Sequence, residues 1–390
     1  MKTRLKLLPL SSVLASALCA AAYDPTDSIS TYAELGYVYD SNVFRLSDSQ
    51  DTEAVLGKDH RGDSIVTPQV GGHIDATLSR QVFSVDANVY MPRYLSFSQL
   101  NYVGWNNSLG WNGEIGHNWF GSASFGDQKV VSDFGDILLN QEDLMRTLTG
   151  SAEAGYRINS SVAVVVDASR AKVRHSQETI LDLYNDQYGA KLQYTTDRGG
   201  VFALGERYQK VDYNSQTFNG FTVNQDYTQR VTQLTAYYPF DPRLDIAGGY
   251  GLVKIHTDTT DQSDWQANAT LNYHATDRTK FSLGYSHALN APGSTYGESI
   301  KSHYLLGTEW KVTDKIVTNA SLAYDKYDYP ASLNVAAYND NVKTANVGVS
   351  WKPRSSIETS VYATWANRDS TVELRTYDDW QLGATVKILF

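Results

Sequence analysis

Histidine, serine and acidic residues are the side chains here that could do acid–base, nucleophilic or metal chemistry. Eight histidines are scattered along the 390 residues: His60, His73, His117, His175, His256, His274, His287 and His303. None lies in a Gly-x-Ser-x-Gly or His-Glu-x-x-His context, the spacings that place a nucleophile on a turn or two ligands on one helix face. Asp258, Asp261 and Asp264 read as an acidic loop. Their spacing misses the calcium-loop pattern and its central glycine, so a solvated loop is expected. The glycines fall in strands and turns, not in a phosphate-cradling loop. No enzyme, cofactor or metal site is expected.

The elements that would position such residues begin after a leader. Lys2, Arg4 and Lys6 precede the apolar stretch Leu7 to Leu18, and Ala20-Ala21-Ala22 offers a small-x-small cleavage site. This is the pattern of a secretory signal peptide. Residues 1–22 are expected to be removed, leaving 23–390 as one domain. Cys19 raises lipidation as an alternative, but Leu18 before it is larger than that signal prefers. Cleavage after Ala22 removes the single cysteine and shifts the net charge from −10 to −13. A disulfide, a thiolate nucleophile and a cysteine metal site are thereby excluded. So acidic a chain is also a poor nucleic-acid binder, since that function rests on neutralising phosphates.

The body alternates with a period of two. Phe83, Val85, Ala87 and Val89 alternate with Ser84, Asp86, Asn88 and Tyr90. Ile357, Thr359, Val361, Ala363 and Trp365 alternate with Glu358, Ser360, Tyr362 and Thr364. Side chains alternate faces along a strand, so each segment has one apolar and one polar face. The segments run about 9–14 residues, longer than an ordinary strand and suited to a tilted membrane strand. Aromatic residues cap the apolar face at Trp119, Tyr156, Tyr194, Tyr250, Trp310, Trp351 and Trp380, as in the girdles of membrane barrels. Small residues are common on that face, where fluid lipid needs no interlocking partner.

Connections alternate in length. Short turns include Ser79-Arg80-Gln81, Asp241-Pro242-Arg243 and three Thr-Asp-Arg/Lys elements beginning at Thr196, Thr276 and Thr313. Longer polar connections fall near 41–63, 126–143, 170–181, 212–224, 289–299 and 327–339, with shorter ones near 92–99, 257–263 and 368–372. Eight turns and nine loops give eighteen strands, or sixteen if one hairpin is miscounted. The fold expected is all-β: a single transmembrane antiparallel up-and-down barrel in a Gram-negative outer membrane. Both termini would be periplasmic, with lipid and lipopolysaccharide around the wall. The last strand, with Gln381, Gly383, Val386, Ile388 and a terminal Phe390, resembles the signal read by the barrel assembly machinery.

A barrel of this size encloses water. The polar face lists Tyr32, Glu34, His73, Asp75, Asp86, Asn88, Tyr90, Phe120, Glu153, Lys191, Gln193, Asn268, Asn272, Glu358 and Tyr362 as its candidate lining. Amides, carboxylates and rings together suit the polar rims and apolar faces of sugars. Equally, the rings could fill space inside the lumen. The segment from Tyr37 to Asp48 contains Asp40, Asn42, Phe44 and Arg45. It resembles the Asp-x-Asn-hydrophobic-Phe-Arg-Leu element of outer-membrane barrels encoded with exopolysaccharide synthesis genes, the EpsL-type group. That resemblance implies a secretion pore with a polysaccharide cargo and a periplasmic bridging partner. On its own chemistry the same motif reads as a turn: Asp40 and Asn42 shape it, Phe44 anchors the loop and Arg45 meets a lumen carboxylate. A diffusion porin, general or sugar-selective, and a surface adhesin or receptor are the alternative functions.

Overall fold

A computed structural model describes residues 28–136, 141–214, 226–258, 261–289, 299–330 and 336–390, with the backbone alone at 216–218 and 221–223. The leader and its cleavage site lie outside the described residues.

Eighteen long strands form one sheet among the described residues. The first nine are β1 (Ile29–Asp40), β2 (Asp63–Leu78), β3 (Gln81–Tyr90), β4 (Gly104–Ile115), β5 (Trp119–Val131), β6 (Leu144–Arg157), β7 (Val162–His175), β8 (Leu183–Thr195) and β9 (Val201–Tyr213). The rest are β10 (Tyr227–Asp241), β11 (Leu244–Thr257), β12 (Asp261–Thr276), β13 (Thr279–Leu289), β14 (Ile300–Lys311), β15 (Ile316–Tyr329), β16 (Tyr338–Arg354), β17 (Ile357–Ser370) and β18 (Tyr377–Leu389). Each pairs antiparallel with its neighbours in the chain, and β1 pairs with β18 from Tyr32–Leu389 to Asp40–Gln381. The sheet is therefore closed. The terminal residue takes part, because the Phe390 N–H donates to the Thr31 carbonyl at 2.8 Å.

The two faces divide as the alternation requires. Leu35, Leu109, Val166, Leu204, Leu252, Leu322 and Leu382 all lie exposed on one face, and their counterparts encircle the barrel. A soluble protein does not expose a continuous apolar belt of this size. The face is outward and suits lipid. Gln381 and Gly383 lie on the opposite, inner face, and Val386 and Ile388 on the outer one.

Several strands run beyond their expected ends. Polar residues after the aromatic caps read as loops at 126–143, 170–181 and 257–263. Instead β5 continues to Val131, β7 to His175, and β12 starts at Asp261. Asp261 and Asp264 are thus strand residues and not part of an acidic loop. The physical reason is that loss of apolar alternation marks the end of lipid contact, whereas the backbone ladder persists. Outward ion pairs support it there: Arg146–Asp127 at 2.8 Å and Arg170–Asp186 at 2.5 Å bridge neighbouring strands.

The long loops are tied down by buried polar groups. Asp143, which leads into β6, is 1% exposed. Its carboxylate accepts from Ser132 Oγ at 2.5 Å and the Gln177 N–H at 2.8 Å, and lies 2.7 Å from His175 Nδ1. Burial works to raise this carboxyl, but the hydrogen bonds of His175, Ser132 and Gln177 hold it well below the usual carboxylate range. A carboxyl depressed by folding contributes its full stability above the ordinary value of about 3.9 and loses it progressively as pH falls below that. Asp143→Ala is expected to cost about 1–3 kcal/mol of local stability. Limited proteolysis of the loop before β6 checks this: faster cutting at neutral pH in the variant, and in the parent only under acid.

Candidate functional site

The middle of the inner wall is built from hydroxyl and amide side chains. They bond to one another across strands. Ser124 and Ser151 hydroxyls lie 2.7 Å apart, as do those of Ser360 and Thr385. Thr364 Oγ1 donates to Asn346 Oδ1 at 2.7 Å, Ser282 Oγ to Asn272 Oδ1 at 2.9 Å, and Asn272 Nδ2 to Asp245 Oδ1 at 2.9 Å. Asn268, Gln193 and Asn88 belong to the same face by strand alternation. Charges on this wall are mostly matched. Lys191 Nζ lies 2.9 Å from Glu153, Lys352 lies 3.3 Å from Glu358, and His73 bridges Asp75 and Asp86 at 2.8 and 2.7 Å. Glu34 sits level with Gln69 on one side and Lys387 on the other.

The four rings of the expected lining share one arrangement. Tyr32 is paired in register with Gly71, Tyr90 with Gly104, Phe120 with Gly155 and Tyr362 with Gly383. A Cβ on those glycines would lie only 2.7, 2.4, 2.1 and 2.2 Å from the respective ring. Each ring therefore lies flat against the wall in a notch that only glycine leaves. The lumen-side faces are then covered in three cases. Lys387 sits 3.9 Å over Tyr32, Arg157 sits 4.8 Å over Phe120, and Tyr102 meets Tyr90 edge-on at 6.1 Å. Among the described residues Tyr362 alone of the four has no such partner.

The mouth at the long-loop end is narrowed by inward-folded loops. Here the N-proximal motif finds its place. Asn42 donates its amide hydrogens to the Leu46 carbonyl at 2.9 Å and the Asp378 carbonyl at 3.1 Å, while its Oδ1 accepts the Leu46 N–H. Arg45 takes a left-handed φ of 55° and forks onto both oxygens of Asp40 at 3.0 and 3.1 Å. It also lies 3.3 Å from Asp379. Burial would lower the Arg45 pKa, but Asp40 and Asp379 hold it well above its usual range. Phe44 is buried and meets Phe97 and Phe134, each at a ring separation of 5.0 Å. Three different long loops thus meet in one apolar cluster against Val38 and Ile65 of the inner wall.

A second network ties the loop after β5 to a distant part of the wall. Arg368 on β17 donates to the Gly135 carbonyl and, at 2.7 Å, to Asp136. Nearby, Arg375 holds the fully buried Asp340 at 2.8 Å. Tyr329 and Tyr338 stack at 4.2 Å, with Arg375 over both rings. Sequence reasoning missed Arg368, Arg375, Asp340, Tyr329 and Tyr377. The alternation does place Arg368, Asp340, Tyr329 and Tyr377 inward. What it lacks is any sign that a loop six strands away folds across to meet them.

No family model matches the chain, and no curated protein matches it. Solved structures do. The chain superimposes on OpdK of Pseudomonas aeruginosa, solved with vanillate, with a TM-score of 0.52 at 10% identity, over 93% of this chain and 99% of that one. OpdQ of the same organism gives 0.48 at 12% identity over 93% and 97%. Its siderophore receptor PirA gives 0.47 at 10% identity over 94% and 81%. At such identities the likeness to OpdK is one of fold: an eighteen-stranded closed antiparallel barrel.

Two outcomes are expected. Gly155→Leu forces Phe120 from its notch and costs about 1–3 kcal/mol by overpacking; denaturant unfolding in lipid measures this, and Phe120→Ala in the same chain relieves it. Arg368→Ala releases the loop after β5 from the wall and raises single-channel conductance; an unchanged conductance means that this tie does not limit the pore.

Proposed function

We propose that this chain is an outer-membrane channel for passive diffusion of small, uncharged polar solutes, with sugars the best-fitting class. The observation that carries this reading is a hydroxyl- and amide-lined lumen whose mouth is narrowed by loops held in buried ion pairs. Serine, threonine, asparagine and glutamine exchange hydrogen bonds with a polyhydroxylated solute at little net cost, since each contact replaces one to water. Matched charges leave the middle of the lumen without a strong field of either sign. The enclosed water of an eighteen-stranded barrel supplies the path. In this reading the long loops face outward, the short turns and both termini are periplasmic, and 1–22 is removed on export.

Polysaccharide secretion, implied by the motif at Asp40 to Arg45, draws on the same neutral lining. The loops favour the smaller solute. Phe44, Phe97 and Phe134 lock three of them together, and a long polymer would have to displace that cluster. The motif residues spend their polar groups on the loop itself, leaving little for a cargo. A bridging component and a polymer cargo belong to the secretion reading alone.

Liposome swelling tests the choice. Mono- and disaccharides are expected to enter vesicles containing the purified barrel, with rates that fall steeply as oligosaccharide length grows. Passage of long polymer at a comparable rate would overturn the diffusion reading in favour of export.

A further inference from the structure

We propose that the outer wall of β7 to β12, on the long-loop side of the apolar belt, binds the phosphorylated sugar headgroup of an outer-leaflet glycolipid. The inference rests on the outer-membrane reading above and goes beyond it to a defined lipid site.

The chain is acidic, with a net charge of −10, yet this part of its outer face gathers cations. Arg170, Lys172 and Arg174 occupy alternate outward positions on β7, followed by Lys210 on β9, Arg230 on β10 and Lys254 on β11. The carboxylates on the same face are already engaged. Arg170 holds Asp186 through two contacts of 2.5 and 2.6 Å, Lys210 holds Asp212 at 2.8 Å, and Arg230 holds Glu206. Lys172 and Lys254 have no carboxylate within 4 Å among the described residues. Positive charge is therefore left over. Moreover, Arg230 stands directly opposite Lys254 in the ladder. Glu206 offsets Arg230, so Lys254 beside that pair is the uncompensated cation. Like charges opposed on one face of a sheet are destabilising; an anion at Lys254 lowers that cost.

The surroundings specify the class of anion. A shallow groove of about 790 Å³ opens on the outer wall, lined by Tyr188, Glu206, Tyr208, Arg230, Lys254, His256 and Asp261, the last held by His256 at 2.5 Å. Its volume suits a headgroup of one or two sugars. Towards the short-turn end, Leu204, Leu234 and Leu252 stand 59%, 55% and 60% exposed and would meet acyl chains. Tyr188 and Tyr208 lie at the boundary, where amphipathic rings favour the headgroup zone. Phosphate at the cations, sugar at the tyrosines and acyl chains on the leucines is the layout of a phosphorylated glycolipid. On the far side of the outer face Lys326 has Asp328 and Lys343 has Asp369, each at 3.0 Å. Lys129 on β5, opposite Arg146, also lacks a carboxylate within 4 Å among the described residues but lines no part of the groove.

The test uses the full mature barrel refolded in detergent, with native mass spectrometry counting retained lipid. Diphosphoryl lipid A is expected to be retained, its dephosphorylated counterpart about tenfold less, and lipid A on R230Q/K254Q about tenfold less, the size of losing a charge-assisted contact. K326Q/K343Q is expected to bind like the parent. Heat-modifiable migration confirms that each variant is folded. Equal retention by parent and R230Q/K254Q overturns the site, as does inorganic pyrophosphate binding as tightly as the lipid. Ser49→Cys, labelled with a thiol reagent from outside intact cells, tests the outer-membrane orientation separately. A labelled loop with equal lipid retention sinks the lipid site alone, whereas an inaccessible loop sinks the orientation and with it the assignment.

Discussion

Closure of the sheet is the constraint on which the rest depends. In hydrocarbon an unpaired backbone N–H or C=O costs several kcal/mol, so a sheet with a free edge cannot remain there. The β1–β18 ladder, extended by the two hydrogen bonds between Thr31 and Phe390, removes both edges at once. Once the ring is closed, every strand must offer one face to lipid and the other to the lumen. A one-residue slip anywhere would turn the leucine belt inward and the amide rows outward. The polar lining and the apolar belt are therefore a single feature seen from two sides.

Closure also creates a space that side chains cannot fill, and the glycine notches adapt the wall to it. Tyr32, Tyr90, Phe120 and Tyr362 are large rings facing water. Lying flat on Gly71, Gly104, Gly155 and Gly383, they bury one face each and keep the lumen open. The cations over Tyr32 and Phe120 bury part of the other. These rings act first on the wall, and the hydrogen-bonding rows between them are what the wall presents to the lumen.

The mouth follows different physics. Its loops bury polar and charged groups that would be costly unpaired, and they meet that cost by pairing both locally, Arg45 with Asp40, and over long sequence distances, Arg45 with Asp379 and Arg368 with Asp136. The ties are specific in geometry, so they hold the loops in one arrangement across the channel. In the diffusion reading proposed above, a neutral middle and a pinned entrance place selection by size at the mouth.

Much of this was legible in the chain. Alternation at Phe83–Tyr90 and Ile357–Trp365, with short turns such as Thr276-Asp277-Arg278 between long loops, determined an eighteen-stranded barrel and assigned each strand residue to a face. Both properties are local, fixed by a period of two and by turn chemistry. Strand ends were less legible, because Arg170 and Asp261 lie where polarity has changed and pairing has not. Contacts among loops were not legible at all. That Phe44 would meet Phe134, or Arg368 reach Asp136, joins residues far apart in the chain, and no period or spacing encodes such a meeting. The sequence by itself determined the wall; only the tertiary structure decided the mouth, because there the partners are chosen by which loops the closed barrel brings together.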